Sequence, residues 1–111
     1  MLGVDVVDVE RLRLVLARSP GLEERLFTAM ELRYCSARRD RVVHLAGTLA
    51  AKEAVIKALD LGPLAAWARR IEIRRARSGA PSAVVNGRPV TISISHDAGV
   101  AVAAAISLPA A

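Results

Sequence analysis

The sequence predicts an α+β fold: an N-terminal strand, helices including one long central helix, then antiparallel strands, in a single domain over residues 1–111. Three observations carry this. Leu2-Gly3-Val4-Asp5-Val6-Val7 is short and nearly all apolar, the pattern of a central strand. Leu49–Leu59 is alanine-rich and free of Gly and Pro, the composition of a helix. From Arg70 onward, apolar and polar residues alternate with period two between turn-forming clusters, the pattern of strands with one wet face.

The elements follow in order. Asp5 interrupts the first strand, and a carboxylate in a buried strand needs a partner or a metal. Asp8 caps a helix running from about Val9 to Ala17, which stops before Ser19-Pro20-Gly21. Arg11, Arg18 and Arg25 recur every seven residues. A helix that resumes after the Pro-Gly kink puts them on one basic stripe. Thr28-Ala29-Met30-Glu31 matches a capping box, so a further helix starts near Thr28. The central helix runs from about Val42 to Leu59, with His44 on it as a packing or surface residue. Gly62-Pro63 ends the helical region. Strands are expected at Arg70–Arg74, Ser82–Val85, Val90–Ser95 and Val100–Ile106. Asn86-Gly87 signals a hairpin and His96-Asp97-Ala98-Gly99 a turn.

Composition sets the bounds. The chain is 53% hydrophobic but only 3% aromatic, so its core is Val, Leu, Ile and Ala. A net charge of +5 favours polyanionic partners, whether phosphorylated ligands, nucleic acid or an acidic protein. One Trp, one Tyr and one Phe argue against a stacking platform for single-stranded nucleic acid. No apolar run is long enough to cross a membrane. The lone Cys35 allows no internal disulfide, which fits a reducing cytoplasm, and no signal-peptide pattern opens the chain.

The central helix carries the chemistry. Glu53 and Lys57 stack one turn apart. Leu45, Leu49 and Ile56 flank them on one side, and Ala50, Ala54 and Ala58 on the other. A helix apolar around most of its circumference is usually buried, so the charges are partly enclosed. Of the sixteen basic residues only Lys52 and Lys57 are lysines, and both lie here. Lys is a compact point charge where Arg is a wide planar fork, which suggests a site with room for an ammonium only. The plainer alternative is an ordinary Glu53–Lys57 helix pair worth ~0.3–0.5 kcal/mol.

Three ordered segments resemble a known family. Gly3-Val4-Asp5-Val6-Val7-Asp8-Val9-Glu10-Arg11, Ala50-Ala51-Lys52-Glu53-Ala54-Val55-Ile56-Lys57-Ala58-Leu59 and Ser93-Ile94-Ser95-His96-Asp97 are together similar to the 4′-phosphopantetheinyl transferases of the small, carrier-protein synthase type. The resemblance implies transfer of the phosphopantetheine arm of coenzyme A to a serine hydroxyl of an acyl carrier protein, with release of 3′,5′-ADP. It implies Mg²⁺ held by Asp5 and Glu53, with Glu53 and Lys57 catalytic. It implies coenzyme A contacts from Lys52, Lys57 and His96. Glu53 or a metal-bound water accepts the serine proton. Arg11 is implied to dock on the acidic carrier, with Arg18 and Arg25 extending the contact by spacing. The family's small members are homotrimers with active sites at subunit interfaces.

Three departures stand out. Thr48 occupies a position where the family usually has an Arg that holds coenzyme A phosphates, a loss worth ~1–3 kcal/mol unless a cation such as Arg41 or Arg69 replaces it. Asn86-Gly87-Arg88-Pro89 joins two strands that the family usually separates with a helix. Asp60 stands where Gly is common. Two other readings follow: an inactive family member that binds carrier or subunit, and, on charge alone, a nucleic-acid-binding domain with steep salt dependence.

Overall fold

A computed structural model describes residues 1–108. The elements are β1 (Leu2–Asp8), α1 (Val9–Arg18), α2 (Leu22–Leu26), α3 (Ala29–Ser36), α4 (Arg41–Leu59), α5 (Leu64–Trp67), β2 (Ile71–Arg75), β3 (Pro81–Val85), β4 (Arg88–Asp97) and β5 (Val100–Ile106). The strands form one antiparallel sheet in the order β1-β5-β4-β3-β2, and α4 packs across its inner face.

The local signals act as expected at several ends. The Asp8 carboxylate accepts from Arg11 N at 2.8 Å and starts α1. Both halves of the Thr28–Glu31 capping box are made. Asn86 (φ 50°) and Gly87 (φ 76°) form a two-residue hairpin between β3 and β4, so β3 runs directly into β4 with no helix between.

The structure corrects four expectations. β1 is an edge strand, not a central one. Gly3, Asp5 and Val7 face α4, while Leu2, Val4 and Val6 are exposed on the outer face. An apolar outer face makes an edge strand read like a buried one. The last turn is only Ala98-Gly99, both at positive φ, so His96 and Asp97 belong to β4. The helix does not resume smoothly after Pro20: Gly21 (φ 83°) redirects the chain, so Arg18 and Arg25 lie on two different helices, α1 and α2. After Gly62-Pro63 one more helical turn, α5, precedes β2.

The core lies between α4 and the sheet. Ala50, Ala51, Ala54, Val55 and Ala58 pack on Ile71, Ile73, Ala83, Val85, Ile92, Ala103 and Ala105. Small residues let α4 approach closely. A Cβ on Gly3 would sit 2.0 Å from the Ala54 carbonyl oxygen, so only glycine allows β1 to lie against the helix here. This contact brings Asp5 beneath the middle of α4.

Candidate functional site

Asp5 points inward from β1, and Lys57 reaches it from α4. Lys57 Nζ donates to Asp5 Oδ1 at 2.9 Å and to the Val4 carbonyl at 3.0 Å. The lysine therefore pairs across elements with Asp5, not along the helix with Glu53. Glu53 lies one turn before Lys57, half-buried. Burial first, and then the Asp5 charge, push its pKa above the usual carboxylate range, while Lys57 pulls it down. Its carboxylate accepts no hydrogen bond from the described residues. Two carboxylates and one ammonium thus lie together at a partly open site, with Lys57 on its exposed side. Hard oxygen donors, one of them without a protein donor, suit an oxophilic divalent cation that takes its other ligands from phosphate and water. No group of three or more potential metal ligands exists among the described residues, so protein atoms alone would not complete a shell.

Leu49, a turn before Glu53, continues this face into an open groove of about 270 Å³ lined by Val6, Val7, Asp8, Arg11, Leu12, Val15, Leu22, Leu26 and Leu49. Arg11 stands at its rim and is exposed, as are Arg18 and Arg25.

Lys52 is not at this cluster. Its side chain is 0% exposed and turns away from Glu53 into the core, where Nζ pairs with Glu31 Oε1 at 2.7 Å and donates to the Ala68 and Ile71 carbonyls, the latter at 3.0 Å. Those three acceptors use all three ammonium donors. This overturns the expected coenzyme A contact, because no donor remains for a phosphate. Burial pulls the Lys52 pKa below the ordinary lysine value and the Glu31 charge pulls it back. Glu31 is equally committed. Oε1 also accepts from Thr28 N at 2.8 Å, and Oε2 accepts from Ile73 N at 2.7 Å. Sequence reasoning had Glu31 only as a cap residue, since such a glutamate usually faces solvent.

His96 lies elsewhere again. Its ring sits 5.9 Å from that of His44, near the start of α4. His44 precedes Glu53 by nine residues, which is ~14 Å along the helix axis. The chain therefore holds two separate clusters: Asp5, Glu53 and Lys57 at one level, His96 and His44 at another. Thr48 is buried, donating to the His44 carbonyl at 2.9 Å and lying 3.8 Å from Cys35 Sγ. Of the two arginines named as substitutes for it, Arg41 is already engaged by Glu23 and Ser36.

Known proteins share this fold. Residues 1–105 match the family described as the 4′-phosphopantetheinyl transferase superfamily. Within it, a holo-[acyl-carrier-protein] synthase from Anaeromyxobacter sp. (strain K) is 40% identical over 120 residues, 95% of this chain and 92% of that one. One from Chlorobaculum parvum is 39% identical over 97% of each chain. The crystal structure of Helicobacter pylori holo-[acyl-carrier-protein] synthase in complex with coenzyme A superposes with a TM-score of 0.80 at 28% identity, over 96% of this chain and 98% of that chain. The Bacillus anthracis enzyme in complex with CoA (3′,5′-ADP) gives 0.81 at 29%, over 94% and 91%. The chain belongs to the holo-[acyl-carrier-protein] synthases of the 4′-phosphopantetheinyl transferase superfamily.

Proposed function

We propose that this protein moves the 4′-phosphopantetheine arm of coenzyme A onto a serine hydroxyl of an acyl carrier protein, with Mg²⁺, releasing 3′,5′-ADP. The observation that carries the reading is the meeting of Asp5, Glu53 and Lys57 at the β1–α4 contact. Breaking a pyrophosphate concentrates negative charge on its oxygens, and catalysis requires fixed positive charge there.

Asp5 and Glu53 would hold the cation, which supplies that charge when bound. Lys57, exposed on one side, swings from Asp5 to the phosphate. Glu53, with its raised pKa, is suited to take the serine proton. The exposed Arg11 at the rim of the apolar groove faces the acidic carrier, and Arg18 and Arg25 add long-range attraction.

The proposal includes a homotrimer working in the cytoplasm. Leu2, Val4 and Val6 of β1 lie beside Val102 and Ile106 of β5 as an exposed apolar face, which another copy would cover. An interfacial active site also accounts for the two separated clusters, since one copy's His96 would meet its neighbour's carboxylates. A steep loss of binding to nucleic acid with salt is not required by this reading. No helix of the described residues is long and apolar enough to cross a membrane.

Intact-mass spectrometry of an apo carrier protein incubated with the protein, coenzyme A and Mg²⁺ tests the activity. The expected result is a gain of one phosphopantetheine mass, blocked by EDTA. No gain with any of several carriers sinks it in favour of a binding module.

A further inference from the structure

Helix α4 ends on a residue that local physics disfavours. Asp60 closes it at φ 53° and ψ 51°, with its N–H on the Ile56 carbonyl. Among the described residues three non-glycines have positive φ. Asn86 and Ala98 sit in hairpin turns, and only Asp60 ends a helix. Glycine takes this left-handed conformation without strain. The carboxylate is misplaced for a second reason: the C-terminus of a helix carries partial negative charge, which repels an anion. Asp60 is exposed and has no ion pair among the described residues to offset either cost. A residue held against both its local conformation and its local field points to function, not to stability.

Its neighbour on the helix is Lys57. Residues three apart on a helix share one face, with Cβ atoms about 5–6 Å apart. Lys57 is engaged with β1, donating to Asp5 Oδ1 at 2.9 Å and to the Val4 carbonyl at 3.0 Å. The Asp5 side chain is 17% exposed and that of Lys57 53% exposed, so the aspartate is held in place and the ammonium has room to move. Asp5 Oδ1 cannot serve the ammonium and a divalent cation together, because the two like charges would meet at one oxygen. Glu53, one turn back on α4, is assigned to the same cation. With both of those carboxylates taken, the acid left on this face of α4 is Asp60.

We propose that Asp60 is a positioning residue for Lys57: it receives the ammonium that Asp5 releases and holds it at the open side of the site, where an incoming phosphate meets it. Lys57 thus passes from a partner on β1 to a partner on its own helix. The proposal rests on the assignment of Asp5 and Glu53 to a cation. It makes that cation easier to bind, since the competitor at Asp5 has another partner to go to.

An NMR titration of the full-length protein with MgCl2 alone, read at the Asp5 and Glu53 amides, tests it. Asp60→Asn removes the charge and keeps a side chain that tolerates the left-handed conformation. Mg²⁺ affinity should fall about three- to five-fold, as for one exposed ion pair. The melting temperature should stay or rise, a pairing of signs that damage to the fold would not give. In a Lys57→Met background the competitor is gone, so Asp60→Asn should leave Mg²⁺ affinity unchanged. An equal loss in both backgrounds overturns the proposal, because Asp60 would then act through its field alone. Unchanged affinity for Asp60→Asn in the wild-type background overturns it as well. No response of the wild type to Mg²⁺ removes the cation assignment and the proposal with it, whereas carrier modification by the wild type reads the transferase separately.

Discussion

Replacing Lys52 with methionine keeps the length of the side chain and removes its charge. The Glu31 carboxylate, 2% exposed as a residue, then stays buried with only the Thr28 and Ile73 amides as partners. Breaking a buried pair from one side costs about 3–5 kcal/mol, because the remaining charge is neither solvated nor paired. The Ala68 and Ile71 carbonyls lose a donor as well. Against a total stability of about 5–15 kcal/mol this is a large fraction. For a domain of this size it lowers the melting temperature by roughly 15–30 °C. Thermal and urea unfolding followed by circular dichroism measure it. Glu31→Leu combined with Lys52→Met removes both charges, and should cost ~2–3 kcal/mol less than the two single changes added together. What remains is the lost cap and the unpaired Ile73 amide. A loss under ~1 kcal/mol for Lys52→Met, or strict additivity in the double variant, would refute a buried pair. Unchanged stability with a raised KM for coenzyme A would restore Lys52 as a phosphate contact.

Other outcomes follow from the same geometry. Glu53→Gln removes a desolvated carboxylate beside Asp5, so the fold should gain ~0.5–1 kcal/mol at neutral pH while transfer is lost. The sign follows from the raised pKa: the folded state holds the Glu53 proton more tightly than the unfolded chain, so this group's contribution is full at low pH and is lost as pH rises from the ordinary glutamate value through the raised one. Wild-type transfer should fall as pH drops through that raised value, and a pH–rate profile with no acidic limb would count against an ionised Glu53. Arg11→Ala should raise the carrier KM by roughly fivefold, as for one exposed charge contact, with the coenzyme A KM unmoved; equal rises in both would exclude docking. Asp60 caps α4 at φ 53°, a left-handed conformation that glycine adopts without strain, so Asp60→Gly should stabilise by about 0.5 kcal/mol after the extra unfolded-state entropy, read as a small rise in melting temperature.

The amino-acid order by itself determined the local structure. Helix α4 and its ends, the Thr28–Glu31 cap, the Asp8 cap and the Asn86-Gly87 turn are set by interactions among residues a few positions apart, and those are visible in any sequence window. The motif residues Asp5, Glu53 and Lys57 were legible too, because charges on apolar elements stand out. The tertiary structure alone decided what each charge meets. Period 3.6 places Lys52 on a face of α4 but does not say what covers it. Only packing against α3 and α5 turns that face into a dry pocket and makes the ammonium a core residue. Lys57 prefers Asp5 to its helix neighbour Glu53 because β1, held close by Gly3, brings the aspartate across a gap of 52 residues. An apolar strand reads the same whether both faces are buried or one awaits a partner, so β1 at the sheet edge was invisible. The contacts from Arg75 through Tyr34 and His44 to His96 span residues 34–96 and have no local signature, because they exist only after the sheet and helices have closed on one another.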